Sequence, residues 1–203
     1  MKERGIFLKR FRKVLIVLLA ILVPVSIGFG FNFFSGESSD SAENQAMTVA
    51  GTLTVNQISE SQNLVPQDKI CNGVTMDITS SAVSLLRVKV DIYCADSKTA
   101  ETDIAPIKNA GDNWLKGSDG YYYYTQGVKN GDIVKLAEEG IYFNGLNDNV
   151  DMNKYQGKKI KVVANAELVQ AKHGVFAEKW GLSENKDGDI YTKLKKISND
   201  QGQ

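Results

Sequence analysis

The chain has 203 residues, with 24 basic and 24 acidic side chains and one histidine. This length fits one domain with a tail, and a hydrophobic content of 42% is enough to form a core. The charge balance excludes the basic excess that is usual in nucleic-acid-binding proteins. One histidine excludes a metal site built from several histidines of this chain.

The charges are unevenly distributed along the chain. Residues 1–13 carry six basic residues and one acidic residue, which leaves 18 basic and 23 acidic residues in the remainder, a balance of −5. An uncharged apolar run over residues 14–31 follows this basic segment. Because this order is typical of export signals and membrane anchors, we predict a signal peptide or membrane helix over residues 1–34.

Two interpretations of this segment stay open. The apolar run is long enough to cross a bilayer, which would make it a single-pass anchor with the domain outside. Pro24, Gly28 and Gly30 interrupt its second half, however, as in the region before a signal-peptidase site. Contact with the membrane is expected only through residues 14–34. The polar residues 35–46 that follow are predicted to be a flexible spacer.

From Met47 onward the hydrophobic pattern has a period of two residues, which indicates β-strands. Strands are predicted at residues 48–55, 70–79, 85–93, 121–124, 133–136, 141–143 and 159–169. Short strands separated by glycine-containing turns favour an all-β fold, an antiparallel jelly-roll or immunoglobulin-like β-sandwich over residues 47–182. A βαβ arrangement needs more helices than the one weak candidate, residues 175–182. The polar tail, residues 183–203, is predicted to be loosely packed, with a strand-like piece at 189–194.

Cys71 and Cys94 are the two cysteines of the chain. If the strands at 70–79 and 85–93 form a hairpin with a turn centred between Ala82 and Val83, Cys71 lies opposite Cys94. An exported protein meets oxidising conditions, so we predict a disulfide between them. The alternative is a pair of buried thiols.

Six segments carry a further pattern: residues 50–53 (AGTL), 64–70 (LVPQDKI), 86–90 (LRVKV), 113–124 (NWLKGSDGYYYY), 128–136 (VKNGDIVKL) and 166–171 (AELVQA). In this order and spacing, the segments resemble the TasA/camelysin family of exported Gram-positive surface proteins. Gln67 stands where the family motif L-x-PGD-x-I has glycine. Asn130 stands where a second motif, V-x-PG-[DE], has proline.

The resemblance implies a jelly-roll-like sandwich that is secreted through a dedicated signal peptidase to the cell surface or the extracellular space. TasA-like members build biofilm-matrix fibres, in which an N-terminal strand of one subunit completes the sheet of the next. The matching segment here is residues 47–56, with Thr48, Val49, Leu53 and Val55 as donor-strand candidates. Strand addition satisfies an open sheet edge, and head-to-tail donation propagates as a filament. The alternative is that this strand pairs within its own domain.

Camelysin-like members are classed as metallopeptidases, but the sequence gives little support for catalysis. It contains neither His-Glu-x-x-His nor Gly-x-Ser-x-Gly, and His173 is alone. We therefore predict that the protein is not an enzyme and has no metal site and no cofactor.

The aromatic residues Trp114 and Tyr121, Tyr122, Tyr123 and Tyr124 are a second candidate site. Alternate tyrosines of a strand face opposite sides. One pair is therefore expected in the core, and the other, with Trp114, is a candidate surface for a glycan or a neighbouring subunit. Cross-strand packing is the alternative.

These patterns predict an exported structural subunit of the cell surface or biofilm matrix. Self-association into fibres is the expected interaction, with accessory surface proteins as further partners and no nucleic acid. The alternative is a membrane-anchored surface module that binds a partner or a glycan.

Overall fold

The computed structural model describes residues 31–35, 49–58, 64–65, 67–94, 97–143, 155 and 157–201. These residues form nine strands and two α-helices. The strands are β1 (Phe31–Ser35), β2 (Val49–Gln57), β3 (Lys69–Ser80), β4 (Ser84–Cys94), β5 (Trp114–Lys116), β6 (Tyr121–Tyr124), β7 (Ile133–Leu136), β8 (Ile141–Tyr142) and β9 (Ile160–Gln170). The helices, α1 (Val175–Trp180) and α2 (Glu184–Asp200), follow the last strand.

The strands form two antiparallel sheets. The first sheet has the order β1-β2-β3-β7, with β8 also paired to β3, and the second sheet has the order β5-β6-β4-β9. The longest pairing runs from Ser84 opposite Gln170 to Cys94 opposite Ile160. The all-β prediction is therefore confirmed, together with the strands predicted at residues 121–124 and 133–136. The predicted N-terminal helix falls on residues 1–30, which lie outside the described residues, whereas residues 31–34 belong to β1.

One hydrophobic core lies between the two sheets. Val74, Met76 and Ile78 of β3 contribute to it from the first sheet, and Val88 and Ile92 of β4 contribute from the second. Each of these side chains is at most 3% exposed. Burying a side chain of this size contributes about 1.5–3 kcal/mol to folding. The apolar residues of the period-two pattern therefore stabilise the fold mainly by packing between the two sheets.

The predicted hairpin between the strands that carry the cysteines is wrong. β3 pairs with β2, β7 and β8 in the first sheet, while β4 pairs with β6 and β9 in the second. The link between β3 and β4 is a corner that crosses from one sheet to the other. Ser80 and Ser84 hold this corner, because their buried hydroxyl oxygens lie 2.9 Å apart and both lie within hydrogen-bond distance of the Ala82 carbonyl.

The prediction of a loosely packed tail is also wrong. Residues 189–194, predicted to be strand-like, lie within α2, whose Ile190, Leu194 and Ser198 are buried. Their spacing of four residues places them on one face of a helix. The helical candidate at residues 175–182 is confirmed as α1. Phe176, Trp180, Ile190 and Leu194 form a second hydrophobic cluster with Tyr123 and other residues of the second sheet, so the packed part of the chain extends to Asp200.

Candidate functional site

The five aromatic candidates lie together on β5 and β6, but none is exposed. Tyr122 joins the core between the sheets, and Tyr124 packs against that core. Tyr123 is fully buried beneath the C-terminal helices, and Tyr121 is half-buried beside it. The predicted alternation of faces is confirmed. The predicted open aromatic surface is wrong, because the second sheet is covered on both sides at this point.

Trp114 connects the two sheets. The residue is 7% exposed, and its ring lies 5.0 Å from the Tyr124 ring, measured between centroids. Its indole Nε1 donates a hydrogen bond of 2.8 Å to the Lys135 carbonyl of β7. Because a buried indole N–H needs a partner, this bond fixes the edge of the first sheet against β5. Trp114 therefore has a structural role.

Arg87 of β4 is the centre of a polar cluster that none of the sequence patterns predicted. We call Arg87, Asp119, Tyr121, Tyr123 and Glu167 the Arg87 cluster. The Arg87 guanidinium donates through Nε and Nη2 to one oxygen of Glu167, at 3.1 and 2.8 Å, and through Nη1 to the Tyr123 hydroxyl at 3.3 Å. Tyr121 in turn donates to Glu167, and Tyr123 donates to Asp119 at 2.6 Å.

Aromatic rings enclose the same guanidinium. Its central carbon lies 3.9 Å from the centroid of Tyr121 and 5.0 Å from that of Trp180 on α1. A cation over an aromatic face is attracted by the ring quadrupole. Arg87 therefore joins the second sheet to α1 and occupies the aromatic cage itself, which leaves the cage filled by the protein's own cation.

Burial and hydrogen bonding shift the pKa values of three members of the cluster. Burial raises the pKa of Tyr123, and its hydrogen bond to Asp119 raises it further. Burial, with the hydrogen bond to Glu167, also raises the pKa of Tyr121. For Arg87, burial lowers the pKa, but its bonds to Tyr123 and Glu167 outweigh burial and raise it overall. The cluster thus holds a charged arginine and neutral tyrosines, which suits a structural network.

The pairing of the strands is the information from which this cluster could have been predicted. Arg87 pairs with Tyr123 on one side and with Glu167 on the other, so the three residues form a row across the sheet. The sequence placed Arg87 on the polar face of its strand, where a solvated side chain is the usual interpretation. Trp180, which covers it, belongs to a helix that the sequence indicated only weakly.

The two cysteines lie in different sheets, at the same end of the sandwich. Cys71 pairs with Gln57 of β2, Cys94 pairs with Ile160 of β9, and the Gln57 side chain donates to the Ile160 carbonyl at 2.7 Å. Both cysteines are buried. Burial raises the pKa of the Cys71 thiol. The register that suggested the disulfide is wrong, and the disulfide itself stays a prediction.

The donor-strand candidates lie on β2, apart from Thr48, which lies outside the described residues. Val49 is 2% exposed and Leu53 is fully buried in the main core, while Val55 packs against it. β2 pairs with β1 on one side and with β3 on the other. Within one chain, then, this strand is an internal strand of its own sheet.

His173 lies in the turn between β9 and α1. The residue is exposed and has a φ angle of 65°. It lines a surface cleft of about 530 Å³ together with Phe176, Tyr191 and Lys195. The described residues contain no group of three or more His, Cys, Asp or Glu side chains that could hold a metal ion.

Two turns have the same geometry, and each contains one of the two residues that differ from the family motifs, Gln67 and Asn130. In the first, the Val65 N–H donates to the Asp68 carboxylate at 2.8 Å, and the Asp68 N–H donates to the Val65 carbonyl at 3.1 Å. In the second, Lys129 and Asp132 make the same two bonds at 2.8 and 3.1 Å. The residue before each aspartate has a positive φ angle, 74° at Gln67 and 86° at Gly131. The PGD-like motifs therefore correspond to two equivalent turns.

Comparison of the chain with protein-family models, with curated proteins and with solved structures gives no match. Among the described residues, no helix has the length and apolarity needed to cross a membrane. The class that the fold defines is an antiparallel two-sheet protein with a C-terminal helical cover.

Proposed function

We propose that this protein is an exported structural subunit of the cell surface or biofilm matrix, which assembles into fibres by donating an N-terminal strand. The proposal begins with the TasA/camelysin resemblance of six segments. The two equivalent turns support it, because a positive φ angle occurs at both positions where the motifs have glycine. Glycine is the residue that adopts such a conformation without strain.

The proposal that the subunits assemble into fibres rests on the position of the N-terminal strands. β1 and β2 form one side of the first sheet, and the pairing of β1 with β2 runs from Phe31 opposite Thr54 to Ser35 opposite Ala50. A sheet edge offers main-chain hydrogen bonds that a strand of a second copy can satisfy equally well. A structural role also agrees with the Arg87 cluster, which joins the second sheet to α1.

The size distribution of the exported protein tests this proposal. Protein recovered from the medium and surface of cells that express the full chain is examined by sedimentation velocity over a range of concentrations. We expect large species whose share rises with concentration. A strictly monomeric product at the highest concentration would contradict the fibre proposal.

N-terminal sequencing of the same material separates secretion from the membrane-anchored alternative. A first residue between positions 29 and 47 supports secretion, whereas an intact Met1 supports an anchored surface module. The sequencing also determines whether β1 is retained in the mature protein.

A further inference from the structure

We propose that the cleft between the β9–α1 turn and α2 binds a sugar ring that carries a carboxylate or a phosphate. Lys195 and His173 hold the acidic group of this ligand, and Tyr191 packs against its ring. The site is built from residues 173–200, so it is independent of the proposed fibre assembly. A free acidic sugar and one unit of an acidic polysaccharide both have this chemistry.

The cleft is formed by two parts of the chain that are fixed to each other. It has a volume of about 530 Å³, which lies within the range of small-molecule sites. The Gly174 N–H donates a hydrogen bond of 2.8 Å to the hydroxyl of Ser198, which is buried in α2. The buried Phe176 ring lies 5.7 Å from the Tyr191 ring, measured between centroids. Because both walls are held before a ligand arrives, binding costs less conformational freedom.

The cleft is cationic, although the folded part of the chain has an acidic balance. Lys195 contributes an exposed ammonium group, and His173 contributes an exposed imidazole. Among the described residues that line the cleft, none is acidic. The chain after residue 13 has a balance of −5, so the net charge does not attract anions to the protein. An anion would therefore bind here through local charge-assisted hydrogen bonds.

The aromatic and amide groups of the cleft favour an acidic sugar over a bare anion. The Lys195 Nζ lies 5.3 Å from the centroid of the Tyr191 ring, so a cation and an aromatic ring are neighbours. The apolar surface of an aromatic ring can pack against the C–H groups of a sugar, while the ammonium reaches the acidic group on that sugar. The Asn199 amide, which also lines the cleft, can donate to and accept from sugar hydroxyls.

A second cleft adjoins the first and favours a polymer over a single sugar. It has a volume of about 410 Å³ and shares Tyr191, Lys195 and Asn199 with the first cleft. These three residues are spaced by four along α2, so they form one row between the two clefts. Lys196 adds a second cation to the second cleft. A chain of several sugar units can therefore occupy both clefts, whereas a single sugar fills only one.

The backbone conformation of His173 supports a binding role for its side chain. His173 and Gly174 have φ angles of 65° and 68°, so the turn requires two consecutive residues in the left-handed region. Histidine tolerates this region better than most residues, but only glycine adopts it without a steric cost. Residues held in such conformations cluster at functional sites. The histidine is explained better by its position in the cleft than by the stability of the turn.

Calorimetric titration of the exported full chain tests the proposal. The probes are tetragalacturonic acid, its fully methyl-esterified form, galacturonic acid and glucose 1-phosphate. We expect tetragalacturonic acid to bind at least about tenfold more tightly than the ester, because the ester has the same rings without the charge. Weaker binding of galacturonic acid than of its tetramer would support a polymer as the ligand. Comparison of galacturonic acid with glucose 1-phosphate separates a carboxylate from a phosphate.

Three variants assign the binding to the cleft. Lys195→Ala should weaken the binding of tetragalacturonic acid at least about tenfold. Lys193→Ala, an exposed neighbour on α2 that lines neither of the two described clefts, should leave the binding unchanged. His173→Gly should weaken the binding and raise the urea midpoint, because glycine relieves the backbone conformation. A residue that serves only the fold would not change affinity and stability in opposite directions.

Three results would overturn the proposal. The first is an absence of binding for all the acidic sugars, and the second is an equal loss of affinity in Lys193→Ala and Lys195→Ala. The third is tighter binding of tetraglutamic acid than of tetragalacturonic acid, with the same loss in Lys195→Ala, which would assign the cleft to an acidic peptide. Sedimentation velocity of Lys195→Ala, which should match the unmodified chain, keeps these outcomes separate from the fibre proposal.

Discussion

Gln67 and Gly131 occupy the same position in two turns of equal geometry, with φ angles of 74° and 86°. Each precedes an aspartate whose carboxylate accepts the N–H of the residue three positions earlier at 2.8 Å. The turns lead into β3 and β7, which are adjacent in the first sheet. The turn before β7 has glycine at this position, and the turn before β3 has a residue with a side chain.

Gln67→Gly should stabilise the protein. The left-handed conformation costs a residue with a Cβ about 1–2 kcal/mol, and replacing Gln67 with glycine removes this cost. Part of the resulting gain in stability is offset, because glycine adds conformational freedom to the unfolded chain. We expect the free energy of unfolding in urea to rise by about 0.5–1 kcal/mol. Gln126→Gly, at an exposed position without a positive φ angle, should not stabilise. Equal effects at both positions would contradict strain at Gln67.

Arg87→Ala should destabilise the attachment of α1 to the second sheet. The Arg87 side chain is 11% exposed, and its removal takes a partner from Glu167 and packing from Tyr121 and Trp180. Because Glu167 is 40% exposed and can be hydrated, we expect a loss of about 2–3 kcal/mol in urea unfolding.

Lys89→Ala is the matched control for Arg87 on the same face of β4. Its ammonium lies 3.9 Å from Asp91 and its side chain is 40% exposed. A surface pair of this kind contributes about 0–1 kcal/mol. A similar loss in the two variants would show that the Arg87 cluster adds nothing beyond an ordinary surface charge.

The stability of the protein should fall in alkaline solution, in part through Tyr123. Its pKa in the folded chain is raised above the ordinary value of 10.0. As the pH rises through 10.0, the unfolded chain therefore releases this proton first, and the stabilisation present below that pH is progressively lost. One such proton gives a slope of at most about 1.4 kcal/mol per pH unit.

Tyr123→Phe should remove this part of the alkaline slope. Urea unfolding of the wild type and the variant between pH 9 and pH 11 measures the difference. At neutral pH the variant should lose about 1–2 kcal/mol, because the bond to Asp119 is lost. A slope unchanged in Tyr123→Phe would contradict the raised pKa.

Leu194→Ala should show that the C-terminal residues belong to the folded domain. Leu194 has no exposed surface and lies in the second hydrophobic cluster. Truncation of a buried leucine costs about 2–5 kcal/mol, so the urea midpoint should fall clearly. Lys193→Ala, its exposed neighbour on α2, should change stability by less than about 0.5 kcal/mol. Equal midpoints for the two variants would indicate that α2 does not pack on the sheet.

The sequence predicted the strands better than their partners. A period of two residues reports which face of a strand is apolar, and this placed residues 121–124 and 133–136 correctly. The same pattern does not report which strand lies alongside. β3 and β4 each turn an apolar face toward the other sheet, so a corner at residues 81–83 satisfies both strands as well as a hairpin does.

The helical cover and the Arg87 cluster could not be derived from local pattern alone. α2 has only a few buried positions among many charged ones, and a helix of this kind depends on packing more than on propensity. Arg87, Tyr123 and Glu167 come together only when β4 lies between β6 and β9. The alternation of Tyr121 to Tyr124 was predictable, but the residues that cover their outer face, Trp180 among them, belong to the two C-terminal helices.

Electron microscopy of the exported protein tests the fibre proposal most directly. Material from the surface and medium of cells that express the full chain is negatively stained alongside the same cells without it. We predict filaments of uniform width that appear only with the chain and bind an antibody raised against residues 49–201. Uniform monomer-sized particles at every concentration, with the same antibody bound, would contradict the role of a fibre subunit.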